Sequence, residues 1–322
     1  MNILLISSSG KGIYPHIEKS IEDAFLAFNH TISKIEPVYS PDTIETINRL
    51  NPELVLSIVG HKMDPKLIKF IKKREMNLCI WLTEDPFYMD YSMKIIEDYD
   101  FIFTVDLGAF EFYKKMFPNK HIFHLPLGTD PSIYYPEPAD KLFDLCLVGY
   151  PYPERIDLVN HILKTTSYSI ILAGPLWKGV IRNINNLKKM NIIGKWIEPS
   201  TVREIFNRSK IILNPHRSSQ FAKNKNTLNI ESKSINNRTF DIAACGGFQL
   251  ISDKPDIEQH FDHPCEMVSF SNEDNCIDLI HHFISDEKKR NDYSHHAHRR
   301  VLNNHTFLHR IQFMINQINF YK

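Results

Sequence analysis

Pro131-Ser132-Ile133-Tyr134-Tyr135-Pro136-Glu137-Pro138-Ala139-Asp140-Lys141 carries three prolines and two tyrosines in eleven residues. Proline fixes its own φ and biases the preceding residue toward extended backbone, so this run reads as a linker and not as an element. On its N-terminal side, short apolar runs alternate with helical patterns, at residues 2–6, 54–59, 78–82, 101–105 and 122–125. The runs end on polar or turn-forming clusters: Ser7-Ser8-Ser9-Gly10-Lys11-Gly12, Gly60-His61, Thr83-Glu84-Asp85-Pro86, Asp106, and Pro126-Leu127-Gly128-Thr129-Asp130. On the C-terminal side the alternation starts afresh, with runs at 145–148, 169–173, 192–193, 211–213, 248–252 and 267–270. Near-continuous apolar strands separated by helices imply parallel sheets covered on both faces.

The chain is thus expected to be α/β, with two doubly wound Rossmann-like domains at 1–130 and 142–305 joined by the linker 131–141. From Asn275 onward it reads as helices, and apolar residues at helical spacing predict a last helix over 307–320 within a C-terminal segment 306–322. In such sheets ligands bind outside the carboxyl ends of the strands, so a cleft between the two domains is the expected site.

Thirty-eight basic residues offset thirty-eight acidic ones, leaving no global field to draw in nucleic acid or an anionic membrane. Any anion must be held by a local cluster. Residues 1–6 are apolar but lack the basic flank and cleavage site of a secretory leader, and no run approaches the roughly 20 apolar residues of a membrane span. The five cysteines, Cys79, Cys146, Cys245, Cys265 and Cys276, contain no C-x-x-C pair and sit mostly in apolar runs. Reduced thiols and a cytoplasmic protein are expected.

The richest polar cluster lies between Asn207 and Asp241, where Arg208, Lys210, Arg217, Lys223, Lys225, Lys233 and Arg238 face chiefly Glu231 and Asp241. It leads into a helix start, Asn237-Arg238-Thr239-Phe240-Asp241, with Asn236 or Asn237 as N-cap and a stop at Gly246-Gly247. Spacings of three and four place Asn237, Arg238 and Asp241 on one face. Backbone N–H groups with a guanidinium suit a diphosphate, and a carboxylate one turn in suits the two hydroxyls of a ribose. A capped surface helix beneath a solvated basic loop accounts for the same residues.

Ile211-Ile212-Leu213-Asn214-Pro215-His216-Arg217, followed by Asn237-Arg238-Thr239-Phe240-Asp241-Ile242-Ala243-Ala244-Cys245-Gly246-Gly247-Phe248-Gln249-Leu250, resembles the donor domain of the CgeB-like spore-maturation glycosyltransferases. These are similar to the GT-B enzymes of glycosyltransferase family 4. Val148-Gly149 with Pro153-Glu154-Arg155, Ile171-Leu172-Ala173-Gly174-Pro175 and Asp256-Ile257-Glu258-Gln259-His260-Phe261 match as well, so the resemblance covers residues 125–310. It implies a GT-B fold with the acceptor on the first domain, the nucleotide-sugar donor on the second, and the last helix crossing back to the first. It implies transfer of a sugar, from a UDP-sugar, to a hydroxyl of a glycan, protein or small molecule, in spore-coat or cell-surface glycosylation.

The same resemblance implies residue roles. Asp241 binds the donor ribose and Arg155 neutralises the diphosphate. The main chain at Lys195, Trp196 and Ile197 reads the nucleobase, and Gly10 and Gly12 let the first domain approach the donor phosphates. Gly149, Asn214, His216, Arg217, Asn237, Arg238 and Thr239 complete the donor set. One departure stands out: family 4 enzymes carry a glutamate eight residues before the position of Asp241, and here that residue is Lys233.

The resemblance also implies that no metal or cofactor is needed, with Arg155, Arg217 and Arg238 as the candidates to take up the charge developing on a departing diphosphate. An inverting enzyme additionally needs a base, for which Asp85 and Glu84, with His61 behind them, are the candidates. Asp85-Pro86 also reads as the start of a turn and His61 as a cap; in a retaining enzyme the donor phosphate takes the proton. Ser7 to Gly12 lacks the Walker spacing. His281, His282, His295, His296 and His298 lie on a polar helical stretch and read as a solvated face. A monomer or homodimer is expected, with neither nucleic acid nor a membrane span. The alternatives are a catalytically inert nucleotide- or sugar-binding module of a coat or envelope assembly, and a GT-B-fold sugar epimerase.

Overall fold

The computed structural model describes residues 1–181 and 189–321. The chain forms two compact units, the first comprising Met1–Gly128, Ala222–Ser234 and the residues from Phe307 onward, the second Thr129–Phe221 and Ile235–Thr306.

Unit 1 is built on a parallel sheet of β1 (Asn2–Ile6), β2 (Thr31–Ile35), β3 (Leu54–Ile58), β4 (Asn77–Leu82), β5 (Phe101–Thr104) and β6 (His121–His124). Their order is β2-β1-β3-β4-β5-β6. Every residue of β3 and β5 is buried, because helices cover both faces. The strand that the apolar-run pattern does not predict is β2, Thr-Ile-Ser-Lys-Ile. It is an edge strand, partly solvated along its whole length, so it never needed an apolar run. The helix Phe307–Phe320 belongs to this unit, where Phe307, Ile311, Met314, Ile315 and Ile318 share a core with Ile3, Leu5, Ile17 and Ile21. Burying each such side chain is worth about 1.5–3 kcal/mol, which is what ties this late segment to the first sheet.

The thirteen residues Ala222–Ser234 depart from the expected division, which counted them with the second domain. They are held on unit 1 by carboxylates. Asp106 Oδ2 accepts from Ser232 Oγ at 2.9 Å and from the Lys233 and Ser234 amides at 3.1 and 3.2 Å. Asp90 Oδ1 accepts from the Thr227 amide and hydroxyl at 2.9 and 2.7 Å. At Gly108 a β-carbon would stand 2.1 Å from the Glu231 carbonyl oxygen. Gly108→Ala is therefore expected to loosen this segment at a cost of about 1–3 kcal/mol. Limited trypsinolysis should then cut faster after Lys223, Lys225 or Lys233; an unchanged rate would mean that Gly108 does not set the contact.

Unit 2 repeats the architecture with β7 (Phe143–Val148), β8 (Ile170–Ala173), β9 (Met190–Ile193), β10 (Ser209–Asn214), β11 (Gln249–Ser252) and β12 (Val268–Phe270). The order β12-β11-β10-β7-β8-β9 is fully parallel. The chain reverses direction across the sheet between β7 and β10, which makes their carboxyl ends the topological switch point. Separate apolar clusters cover the two faces, one around Phe206, Phe240 and Ile251 and the other around Leu158, Trp177 and Leu250.

Candidate functional site

The residues proposed from sequence in unit 2 converge on that switch point. Gly149 follows β7 directly, with φ +130°. A β-carbon there would lie 2.7 Å from Arg155 Nη1 and 3.0 Å from Arg238 Nη2, so both guanidiniums close on the bare backbone at the strand end. Arg155 is brought there by the helix Pro153–Thr165, and Arg238 opens the helix Arg238–Ala244. Arg155 is 4% exposed; its Nε donates to the Pro215 carbonyl at 2.9 Å and its Nη1 to the Tyr150 carbonyl at 3.0 Å.

Among the described residues, neither Arg155 nor Arg238 has a carboxylate within ion-pair distance. Burial first, then repulsion from Arg238 and Arg217, pushes the Arg155 guanidinium down to about 9. It remains charged at neutral pH, so the site holds two guanidiniums that no carboxylate contacts directly, although Asp241 acts on Arg238 and Glu154 on Arg155 from longer range. Arg217 and Arg155 flank the Tyr152 ring, with guanidinium carbons 5.0 and 5.1 Å from its centroid. Tyr152 is a site neighbour that sequence reasoning missed, although its place beside Pro153 at the start of the β7 crossover helix marked it.

The Asn214 side chain ends β10 in a buried network. Its Nδ2 donates to Thr239 Oγ1 at 3.0 Å, and its Oδ1 accepts from Asn236 Nδ2 at 2.9 Å. Asn214 and Thr239 thus pack the helix start against the sheet. His216 Nε2 accepts the Asn236 amide at 3.0 Å, which leaves the proton on Nδ1. Burial, then the charges of Lys254, Arg155 and Arg238, hold the His216 imidazole well below its usual range, hence neutral.

Asp241 is 8% exposed, with Oδ1 accepting from Thr129 Oγ1 at 2.9 Å and Oδ2 from Asn237 Nδ2 at 3.2 Å. Burial pushes its carboxyl up to about 7, against the pull of the Thr129 hydrogen bond and of Arg238. Thr129 was not foreseen as a partner, because no local pattern links it to a residue so far along the chain. The helix-start amides expected to face an anion are otherwise engaged. Thr239 N donates to the Asn236 carbonyl and side chain, and Phe240 N to the Asn237 carbonyl.

The basic stretch 207–241 does not act as one cluster. Arg208 pairs with Glu204 at 3.0 Å, Lys210 with Asp144 at 2.7 Å, and Lys233 with Glu111 at 2.6 Å. Within unit 2, Arg217 and Arg238 of that stretch lie close to Arg155. Lys195, Trp196 and Ile197 follow β9, the second strand out from β7; Trp196 is exposed and Ile197 packs partly into the core.

In unit 1, Asp85 is not placed as a sequence-based reading of an acceptor-side base would have it. Its carboxylate is 3% exposed and turned inward, accepting from Ser92 Oγ at 2.6 Å, Tyr113 Oη at 2.7 Å and Thr104 Oγ1 at 3.4 Å. Burial lifts it to about 7. Three hydroxyls of unit 1 thus satisfy this carboxylate from within. Glu84 accepts a hydrogen bond from Tyr14 Oη.

The loop holding Gly10 and Gly12 is likewise organised from inside. The buried Glu18 accepts from the Ser8 amide at 2.8 Å and the Ser8 hydroxyl at 2.7 Å. The Ser9 and Gly10 amides donate to Ser7 Oγ and Ser8 Oγ, each at 3.0 Å. These amides are spent within the turn, while Gly10 packs against the Tyr14 ring. Among the described residues no group of three or more His, Cys, Asp or Glu side chains is arranged to hold a metal. No described helix is long and apolar enough to cross a membrane.

Known proteins resemble the chain in sequence and in fold. A family model described as glycosyl transferase-like matches residues 155–316, half of the chain. Spore protein CgeB of Bacillus subtilis is 29% identical over 253 residues, covering 78% of this chain and 79% of CgeB. Among solved structures, sucrose-phosphate synthase from Thermosynechococcus elongatus superposes with TM-score 0.71 at 10% identity, covering 99% of both chains. Anabaena HepE, solved with UDP and glucose, superposes with TM-score 0.69 at 10% identity, again covering 99% of each.

Proposed function

Because the chain belongs to the glycosyl transferase-like family and is a glycosyltransferase of the GT-B type, we propose that it moves a sugar from a UDP-sugar to a hydroxyl acceptor, with unit 2 holding the donor. The observation that carries this reading is the pair of guanidiniums, Arg155 and Arg238, closing on Gly149 at the switch point, with no carboxylate in direct ion-pair contact among the described residues. A diphosphate supplies the missing charge and fits the planar forks of arginine. Asp241, one turn into the helix, accepts the ribose hydroxyls.

The ends of β7 and β9 are two strand spacings apart, about 10 Å. That separation suits a nucleobase at Lys195, Trp196 and Ile197 when the diphosphate lies at Gly149. Arg155, Arg217 and Arg238 then stabilise the leaving diphosphate by fixed positive charge, with no metal called for. The likeness to a spore protein supports a role in spore-coat or cell-surface glycosylation. The UDP in the HepE structure supports uridine as the base.

Thermal melting with UDP, GDP, ADP and CMP tests this. UDP at about one hundred times its Kd should stabilise the protein by about 2.7 kcal/mol, seen as a raised Tm. If none of the four moves the transition, the donor reading fails. A second reading, an inert nucleotide-binding module, is favoured by one observation: Lys233, where family 4 enzymes carry a glutamate, pairs with Glu111 in unit 1. Slow hydrolysis of UDP-glucose by the intact protein separates the two, since a binder leaves the donor whole.

A further inference from the structure

We propose that the loop edge of unit 1 around His61 is a subsite for a neutral pyranose ring of the acceptor, with His61 Nδ1 receiving a sugar hydroxyl and Tyr91 offering a stacking face. This rests on the glycosyltransferase reading above and gives its acceptor a chemical class. Three independent features converge there.

The first is location. His61 lies three residues beyond β3, and β3 with β1 forms the switch point of the β2-β1-β3-β4 order. Ligands of doubly wound sheets favour that place.

The second is a tautomer fixed from behind. His61 Nε2 lies 3.1 Å from Ser92 Oγ, and the single hydroxyl hydrogen of Ser92 goes to Asp85 Oδ1 at 2.6 Å. When Asp85 is ionised the Ser92 oxygen is left only as an acceptor, which puts the imidazole proton on Nε2 and the lone pair on Nδ1. Tyr113 and Thr104 hold Asp85 in place in turn. Asp85, which reads from sequence as a direct base, thus acts through Ser92 as a positioning residue. Among the described residues Nδ1 has no partner, and it is not a buried orphan. Burial keeps the imidazole neutral, down to about 4, so Nδ1 stays an acceptor at ordinary pH. An unprotonated nitrogen suits a hydroxyl donor and repels a phosphate oxygen.

The third is the aromatic surround. Tyr91 is 40% exposed and sits edge-on to His61 with centroids 5.6 Å apart. Tyr88 stacks on Tyr91 at 6.1 Å with an interplanar angle of 18° and steadies the exposed ring, while the Lys94 ammonium, on a flexible side chain, lies 5.7 Å from the ring centroid and must swing aside for a sugar face to stack there. A flat apolar surface beside one directional polar atom is the composition of a small-molecule subsite, and a pyranose offers both an apolar C–H face and hydroxyl donors.

Saturation-transfer NMR on the intact protein, with methyl β-D-glucopyranoside and cellobiose as probes and UDP present, tests the proposal. Ring C–H signals are expected with the wild type, and should weaken about fivefold or more in both Tyr91→Ala and His61→Ala. Tyr91→Phe keeps the stacking face and should retain them. The UDP-induced rise in Tm, measured on the same samples, should not change, which shows that each variant is folded. Absence of signal with both saccharides in the wild type overturns the subsite, as does signal that survives both alanine substitutions. Saccharide signals without any UDP shift would support the subsite while refuting the donor reading, so the two stand or fall separately.

Discussion

Arg155→Met is expected to weaken UDP binding by about 100-fold or more, roughly 2.7 kcal/mol in affinity. The wild-type guanidinium is buried beside a second one, and two of its donors are committed to the Pro215 and Tyr150 carbonyls. Those two bonds orient the fork, and the remaining donors are available to a phosphate. Each hydrogen bond to a charged group contributes about 1.5–3 kcal/mol, so losing one or two accounts for the predicted fall. The same substitution leaves the buried Pro215 carbonyl without its donor, while the Tyr150 carbonyl keeps the Tyr152 amide, and should lower stability by about 1–3 kcal/mol. Calorimetric titration at a temperature well below the variant's Tm separates the two effects. Arg155→Lys keeps a charge but cannot hold both carbonyls and reach a phosphate as a planar fork does, so it should recover only part of the affinity. UDP binding to Arg155→Met within about threefold of wild type would remove Arg155 from the donor site.

Asp241→Asn should flatten a pH dependence that the wild type displays. Burial lifts the Asp241 carboxyl to about 7, and the ionised form is the one that accepts two ribose hydroxyls. UDP affinity is therefore expected to climb as pH rises from 6 to 8, by about tenfold between the protonated and ionised limits. In Asp241→Asn the affinity should be low and level across that range. The sign for stability is opposite. The folded-state value lies above the unfolded one, so the native chain holds a proton that the unfolded chain has already released. That contribution is fully present below about pH 4 and is lost as pH rises through about 7. Asp85, lifted to a similar value in unit 1, adds to the stability trend but not to the binding trend. Titrating UDP at several pH values into both proteins distinguishes them. A wild-type affinity independent of pH would sink the ribose assignment.

Much of the architecture was legible before any coordinate. Strands buried on both faces must be apolar throughout, which is why β3, β4, β5, β7, β8 and β10 stand out as runs. The last helix, Phe307–Phe320, was legible for a related reason, since its apolar stripe recurs at helical spacing over four turns. The missed strand β2 shows where that logic stops: a solvated edge has no one-residue-in-every-one pattern to read. The chemistry of the donor region was legible as residue types at strand ends, since loops after strands are where polar groups gather.

Contacts between distant segments were beyond pattern reading. Arg155 and Arg238 look alike in sequence to Arg208, Lys210 and Lys233, yet the last three are neutralised by Glu204, Asp144 and Glu111. Charge counts along a chain cannot tell a paired cation from an unpaired one, because pairing depends on which carboxylate the fold brings within a few ångströms. Asp85 makes the same point for a carboxylate. Its place after a strand suggested a group open to an acceptor, but Ser92, Thr104 and Tyr113 turn it inward, with the half-buried His61 beyond Ser92. The residues themselves settle that the chain makes two covered parallel sheets, because burial on both faces imposes composition strand by strand. Which of their polar groups remain available to a ligand is settled only by folding, because availability is what is left after every buried donor, acceptor and charge has found its partner.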